Sequence, residues 1–141
     1  MNTRLLRKIE KHITDEPEKF DMADWIGSDY TKTRPHCGTT CCIGGWAAVE
    51  TGWRVVSRKD IWGYFEHYFV DPNNKEFAPL SAMMSAARKA LNINEKEADR
   101  LFYSDNWPSP FQEVEDNIRS TKKDKAKNAV ARIEHFIETG E

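Results

Sequence analysis

Long apolar runs are missing from this sequence. No stretch of its 141 residues approaches the roughly 20 consecutive apolar residues needed to cross a bilayer. The first residues, MNTRLLRKIEKHI, lack the continuous apolar centre of a signal peptide. Both absences predict a cytoplasmic protein with no membrane contact. Cysteine is scarce too. The three present, Cys37, Cys41 and Cys42, fall within six positions, which does not build a secreted disulfide framework. Neither sign of charge is in excess: the formal net charge is −2, so no global attraction to nucleic acid or membrane is implied. Internal repeats, low-complexity segments and interdomain linkers are absent, so residues 1–141 read as one domain with one core.

What is present is aromatic weight at the front. Fifteen of the sixteen aromatic residues precede Gln112, and five in all are tryptophan. Large aromatics make rigid pockets as well as cores. Among them lies the stretch His36 to Gly52, HCGTTCCIGGWAAVETG. Pro35 and Gly38 turn the chain. Thr39 or Thr40 then offers a side-chain oxygen as N-cap. From Cys41 to Val49 nearly every residue is small or apolar, and Gly52 stands where a helix stops. A helix apolar on all sides is buried on all sides. This predicts a central helix over about 40–51. Gly44 and Gly45 inside it point either to close helix packing beside Trp46 or to a ligand approaching the backbone.

The rest reads as helices around it. Asn2 or Thr3 opens a first helix through about Ile13, with Leu5, Leu6, Ile9 and Ile13 as its buried stripe. Phe20, Met22 and Trp25 pin a short helix or turn to the core. Trp53–Val56 is a short strand or an extended link. Ser57-Arg58-Lys59-Asp60 has capping-box form and would start a helix bearing Ile61, Trp62, Phe65, Tyr68 and Phe69. Gly63 and the β-prone aromatics keep two strands as the alternative. Ser81 caps a helix through Leu91, and Asn94 with Glu97 makes a capping box for the next. Ser109-Pro110-Phe111-Gln112 reads as cap, N1 proline and reciprocal Gln, with Phe111, Val114 and Ile118 as the apolar face. Thr121 and Asp124 start a last helix that stops at Gly140. The expectation is a mostly α, compact single domain of six or seven helices around a buried central helix, with one short β element near 53–70 left open.

Cys37-Gly38-Thr39, Cys42-Ile43 and Gly45-Trp46-Ala47 together form a CGTxxCIxGWA pattern, followed downstream by an EADRLF stretch, a Trp107-Pro108 turn and Phe111. This pattern resembles a family of short uncharacterised proteins of bacteria and their phages. The resemblance runs from the first helix to Phe111 and places Cys37 and Cys42 in the signature, with Cys41 and Gly44 outside it. It carries over no activity and no catalytic residue. It implies a setting: a small accessory protein, phage-encoded.

Three chemistries fit the central stretch. The first is anion binding. Gly38 and Thr39 would supply donors with Thr40, Arg34 and His36 would pair with phosphate, and Trp46 or Trp53 would shape the pocket. The glycine spacing and lysine of a P-loop are absent. The second is thiol catalysis by Cys42 or Cys37, with His36, His67 or His135 as base. The third is zinc on Cys37 with Cys41 or Cys42, for which no second ligand pair is visible. The basic stretches Arg4–Lys11 and Arg119–Arg132 are interleaved with or flanked by acids, which argues for solvated helix surface over nucleic-acid recognition. No motif calls for a cofactor. The reading is a protein that binds and does not turn over, holding a small phosphorylated or nucleotide-like ligand by sequestration, as in phage counter-defence. The alternatives are a cysteine-dependent hydrolase or transferase, and a protein–protein inhibitor of a host enzyme. A homo-oligomer is compatible with either.

Overall fold

The Asn2 side chain accepts a hydrogen bond from the Leu5 amide at 3.1 Å and opens α1 (Thr3–Asp15). Its Leu6, Ile9 and Ile13 are fully buried, at the spacing of one helix face. The computed structural model describes residues 1–22, 26–27, 40–59, 61–63 and 65–141. After a 3₁₀ turn at Pro17–Lys19, two short strands, β1 (Ile26–Gly27) and β2 (Thr40–Cys41), pair antiparallel with Ile26 opposite Cys41. Phe20 forms a parallel bridge to the same Cys41.

The central helix is there, but it is shorter than its apolar run. α2 covers Ile43–Val49, and Thr40 belongs to β2. The N-cap is Cys42, whose sulfur accepts from the Gly45 amide at 3.3 Å. Pairing with β1 holds 40–41 extended, so the helix begins where that ladder ends. Ile43, Gly44, Gly45, Ala47 and Ala48 are buried, and α1, α3 and α4 pack around them. Gly52 follows with φ +94°, a conformation open to glycine, and a Cβ there would meet Pro72 at 3.1 Å.

Residues 54–70 are a hairpin. The capping-box helix read from Ser57–Asp60 does not form, and the strand alternative does. β3 (Arg54–Lys59) and β4 (Phe65–Val70) pair antiparallel from Arg54 opposite Val70 to Lys59 opposite Phe65. The turn carries Gly63 at φ +89°. β-Branched and aromatic residues suit a pleated, half-buried surface, and here that preference overrides a local helix-start pattern. β5 (Phe77–Ala78) adds to β4, giving a three-stranded antiparallel sheet in the order β3-β4-β5. Val55 joins the core, with Phe69 and Ala78 packed against it.

The second half is helical: α3 (Leu80–Leu91), α4 (Glu95–Phe102), α5 (Phe111–Asp116) and α6 (Lys122–Thr139). Capping boxes at Asn94/Glu97 and Thr121/Asp124 form as their spacing predicts. Two starts differ. α3 is preceded by Pro79 at its N-cap, with Ser81 already inside. At α5 the N-cap is Pro110, after a cis peptide bond, and the Ser109 hydroxyl bonds the Glu113 carboxylate. Ile118 lies past the end of α5 and is 97% exposed, so it is no part of that helix's apolar face. The protein is mostly helical, with six α-helices, a three-stranded sheet and a two-stranded one among the described residues. α6 closes the core by packing along α1, with Ala126, Ala129, Ile133 and Phe136 buried. No helix among the described residues is long and apolar enough to cross a membrane.

Candidate functional site

Of the residues read as ligand-binding, Arg34, His36, Gly38 and Thr39 lie outside the described residues, as does Cys37. Thr40 stands on β2 opposite Gly27. Trp53 is 4% exposed, so its indole belongs to the core. Trp46 is half-buried on α2, one turn from Cys42. Cys41 and Cys42 are buried, and Cys42 presents its sulfur to the backbone of its own helix. Of the proposed bases, His135 packs its ring against Phe111, centroids 5.5 Å apart, and His67 stands on β4 opposite Ser57. Among the described residues no group of three His, Cys, Asp or Glu could hold a metal.

The structure places a residue beside Trp46 that sequence reasoning passed over. His12, on α1, lies flat on the indole with centroids 4.6 Å apart. Its Nε2 is 2.7 Å from Glu50 Oε1, and Lys8 pairs with the other oxygen of the same carboxylate. Burial pushes the Glu50 carboxyl up, but the bonds from Lys8 and His12 outweigh it and hold the group below its ordinary value. Lys8 and His12 are one turn apart on α1, and Glu50 follows α2. The signal was an i, i+4 cation and imidazole on one helix face, legible only once α2 is known to pack there. The Trp46 Nε1 is buried and has no hydrogen-bond partner among the described residues.

A second constellation gathers at the N-terminal end of α6. Lys122, Lys123, Lys125 and Lys127 sit on its first two turns, where the helix dipole is positive. The Asp124 carboxylate among them is engaged by Thr121, whose side-chain and backbone hydrogen bonds lower its pKa. Between α1 and α6 runs a groove of about 610 Å³ with an apolar floor of Ile13, Ala126 and Val130. Thr14, Pro17, Lys123, Lys127 and the Thr121-bonded Asp124 line it as well. This volume falls in the range of small-molecule sites, and an apolar bed with a few polar groups is their usual composition. A groove of about 220 Å³ between α3 and α4 sets one cation, Arg88, against two acids, Glu95 and Asp99.

On the other flank of α6 a small pocket of about 160 Å³ is bounded by Phe20, Asp21, Met22, Ser120, Lys122 and Lys125. It adjoins the central stretch, because the Asp21 amide donates to the Cys41 carbonyl at 3.3 Å. Behind it lies Glu115, buried, with Lys125 Nζ 3.5 Å from Oε1 and no partner for Oε2 among the described residues. Burial raises the Glu115 pKa; Lys125 offsets part of this, while Asp21 and Asp116 add to it. Arg132 is the other buried ion. Its guanidinium donates to the carbonyls of Arg100 and Glu141 at 3.0 and 2.5 Å and lies near the Phe111 and Phe136 rings. Burial, with help from the Arg100 charge, pushes its pKa down to about 10.

The structure thus brings Cys42 and Trp46 onto one buried helix beside His12 and Glu50, and leaves Trp53 in the core. It also gives the basic stretch at 122–127, which reads from sequence as solvated surface, a groove to line. No family model matches this chain, and neither the curated proteins nor the solved structures contain a detectable relative of it.

Proposed function

We propose that this protein acts by binding a small anionic ligand with an apolar body, phosphorylated or nucleotide-like, and holds it without turnover. The observation that carries this reading is the groove between α1 and α6, where an apolar floor meets Lys123 and Lys127 at the positive end of a long helix. The residues of the central stretch suited to phosphate, Arg34, His36, Gly38 and Thr39, lead directly into β2, whose Cys41 bonds to Asp21 on the far flank of the same helix end. The burial of Cys42 and its bond to Gly45 speak for a structural thiol. The resemblance to bacterial and phage accessory proteins supports a cytoplasmic role in counter-defence by sequestration.

Native mass spectrometry of the purified protein, followed by denaturing mass spectrometry of the same sample, tests this. An adduct of a few hundred daltons that leaves on denaturation is expected. It should be lost from the Lys123→Ala/Lys127→Ala variant. Retention there, with loss from Arg34→Ala/Thr39→Ala, would move the site to the central stretch. Retention in both variants would remove the proposal.

A further inference from the structure

We infer that the groove between α3 and α4 is a binding site for a free α-amino acid with an apolar side chain, held as its zwitterion. On α3, Ser81, Ser85 and Arg88 follow one another at four and three residues, the spacing of one helix face. Glu95, Asp99 and Phe102 repeat that spacing on α4. The short connector Asn92-Ile93-Asn94 brings the two faces together, and both line the groove of about 220 Å³. At the end away from the connector, the Tyr103 hydroxyl donates to the Met84 sulfur at 3.7 Å and bridges the two walls. Phe102 is 2% exposed and Ala98 7%, so the floor is apolar. A volume below that of drug-sized sites suits a small occupant.

Opposite charges line this groove without meeting. Among the described residues the half-buried Arg88 guanidinium makes no hydrogen bond and no ion pair, and the same holds for the carboxylates of Glu95 and Asp99. Asp99 lies towards the aromatic end: the Tyr103 pKa is raised first by burial and next by the Asp99 charge. A simple amine would satisfy the acids but meet Arg88 as a like charge. A simple carboxylate would satisfy Arg88 but meet two acids. A molecule with both charges on one carbon satisfies both walls. The planar guanidinium takes its carboxylate through two parallel N–H bonds. Its ammonium falls to Asp99 beside the Tyr103 ring, and its side chain rests on Phe102 and Ala98.

The probes are leucine, methionine and phenylalanine, added to the ¹⁵N-labelled intact protein and followed by amide chemical shifts. Two analogues of leucine serve as controls: isoamylamine, which lacks the carboxylate, and isocaproate, which lacks the ammonium. At least one amino acid should shift the amides of α3 and α4, and the single-charge analogues should bind about tenfold or more weakly than leucine. Arg88→Met and Asp99→Asn should each weaken leucine by a similar factor. Arg88→Met should leave isoamylamine bound no more weakly than before, which separates loss of the carboxylate contact from loss of the groove. No shift with any of the three at about 10 mM, enough to reveal millimolar affinity, would overturn the inference. So would isoamylamine or isocaproate binding as tightly as leucine, or shifts confined to α1 and α6. Arg88 and Asp99 lie outside the lysine groove, so this test and that of the anionic ligand fail independently.

Discussion

The imidazole of His12 and the indole of Trp46 are stacked within 6° of parallel, and the same imidazole bonds Glu50 through Nε2. One side chain of α1 therefore fixes both the central helix and the carboxylate that follows it. The Glu50 carboxyl is held below its ordinary value in the fold, so it contributes stability that is present above the unfolded-state pKa near 4.5 and lost as pH falls through the folded value. Glu50→Gln should lower stability at pH 7 by about 1–2 kcal/mol. It should also flatten the acid limb of the stability curve. Urea unfolding at pH 7 and pH 3.5 checks this: an equal loss at both values would mean that the charge plays no part.

Glu115 predicts the opposite sign. Its pKa is raised by burial, so the stability it contributes is fully present below the unfolded-state pKa and is lost as pH rises through the folded one. Glu115→Gln should therefore raise the thermal midpoint at pH 7 and leave it unchanged near pH 4. Lys125, a third exposed along its side chain, turns to solvent in that variant. A variant less stable than wild type at pH 7 would refute the assignment.

Arg132 is fully buried, with two backbone carbonyls as partners and two aromatic rings as walls. Its charged form is the one disfavoured by the fold, as the downward shift to about 10 shows. Packing and carbonyl satisfaction, more than charge, then set the cost of replacing it. Arg132→Ala should lose about 3 kcal/mol or more through the cavity left behind. Arg132→Met, which keeps most of the volume, should lose roughly half as much. Chemical denaturation distinguishes the two; equal losses would show that the cation itself matters.

Cys41 and Cys42 are at or near zero exposure, and the Cys42 sulfur caps α2. Native alkylation with iodoacetamide at pH 7 should modify both at least about tenfold more slowly than in denaturant. Peptide mapping reads each cysteine separately. Rapid, selective labelling of Cys42 in the native protein would restore the thiol-enzyme reading.

The helical character of this chain was legible residue by residue. The apolar stripe of α1, the capping boxes at Asn94 and Thr121 and the stop at Gly140 are local, because a helix satisfies its backbone and spaces its side chains within a few residues. The burial of the central stretch was legible for the same reason: residues apolar on every side have nowhere else to go. What tertiary structure decided was every feature that depends on a partner distant in sequence. Pairing with β1 took Thr40 and Cys41 out of the helix. Ladder bonds between 54–59 and 65–70 overrode the capping pattern at Ser57. The Leu101 carbonyl accepts from the Trp107 indole at 3.2 Å, six residues along the chain, and keeps that ring in the core. The candidate site divides in the same way. Residue types suited to phosphate announce themselves in the central stretch, but the groove beside Lys123 and the contact of His12 with Trp46 exist only because α1 packs against α6 on one side and α2 on the other.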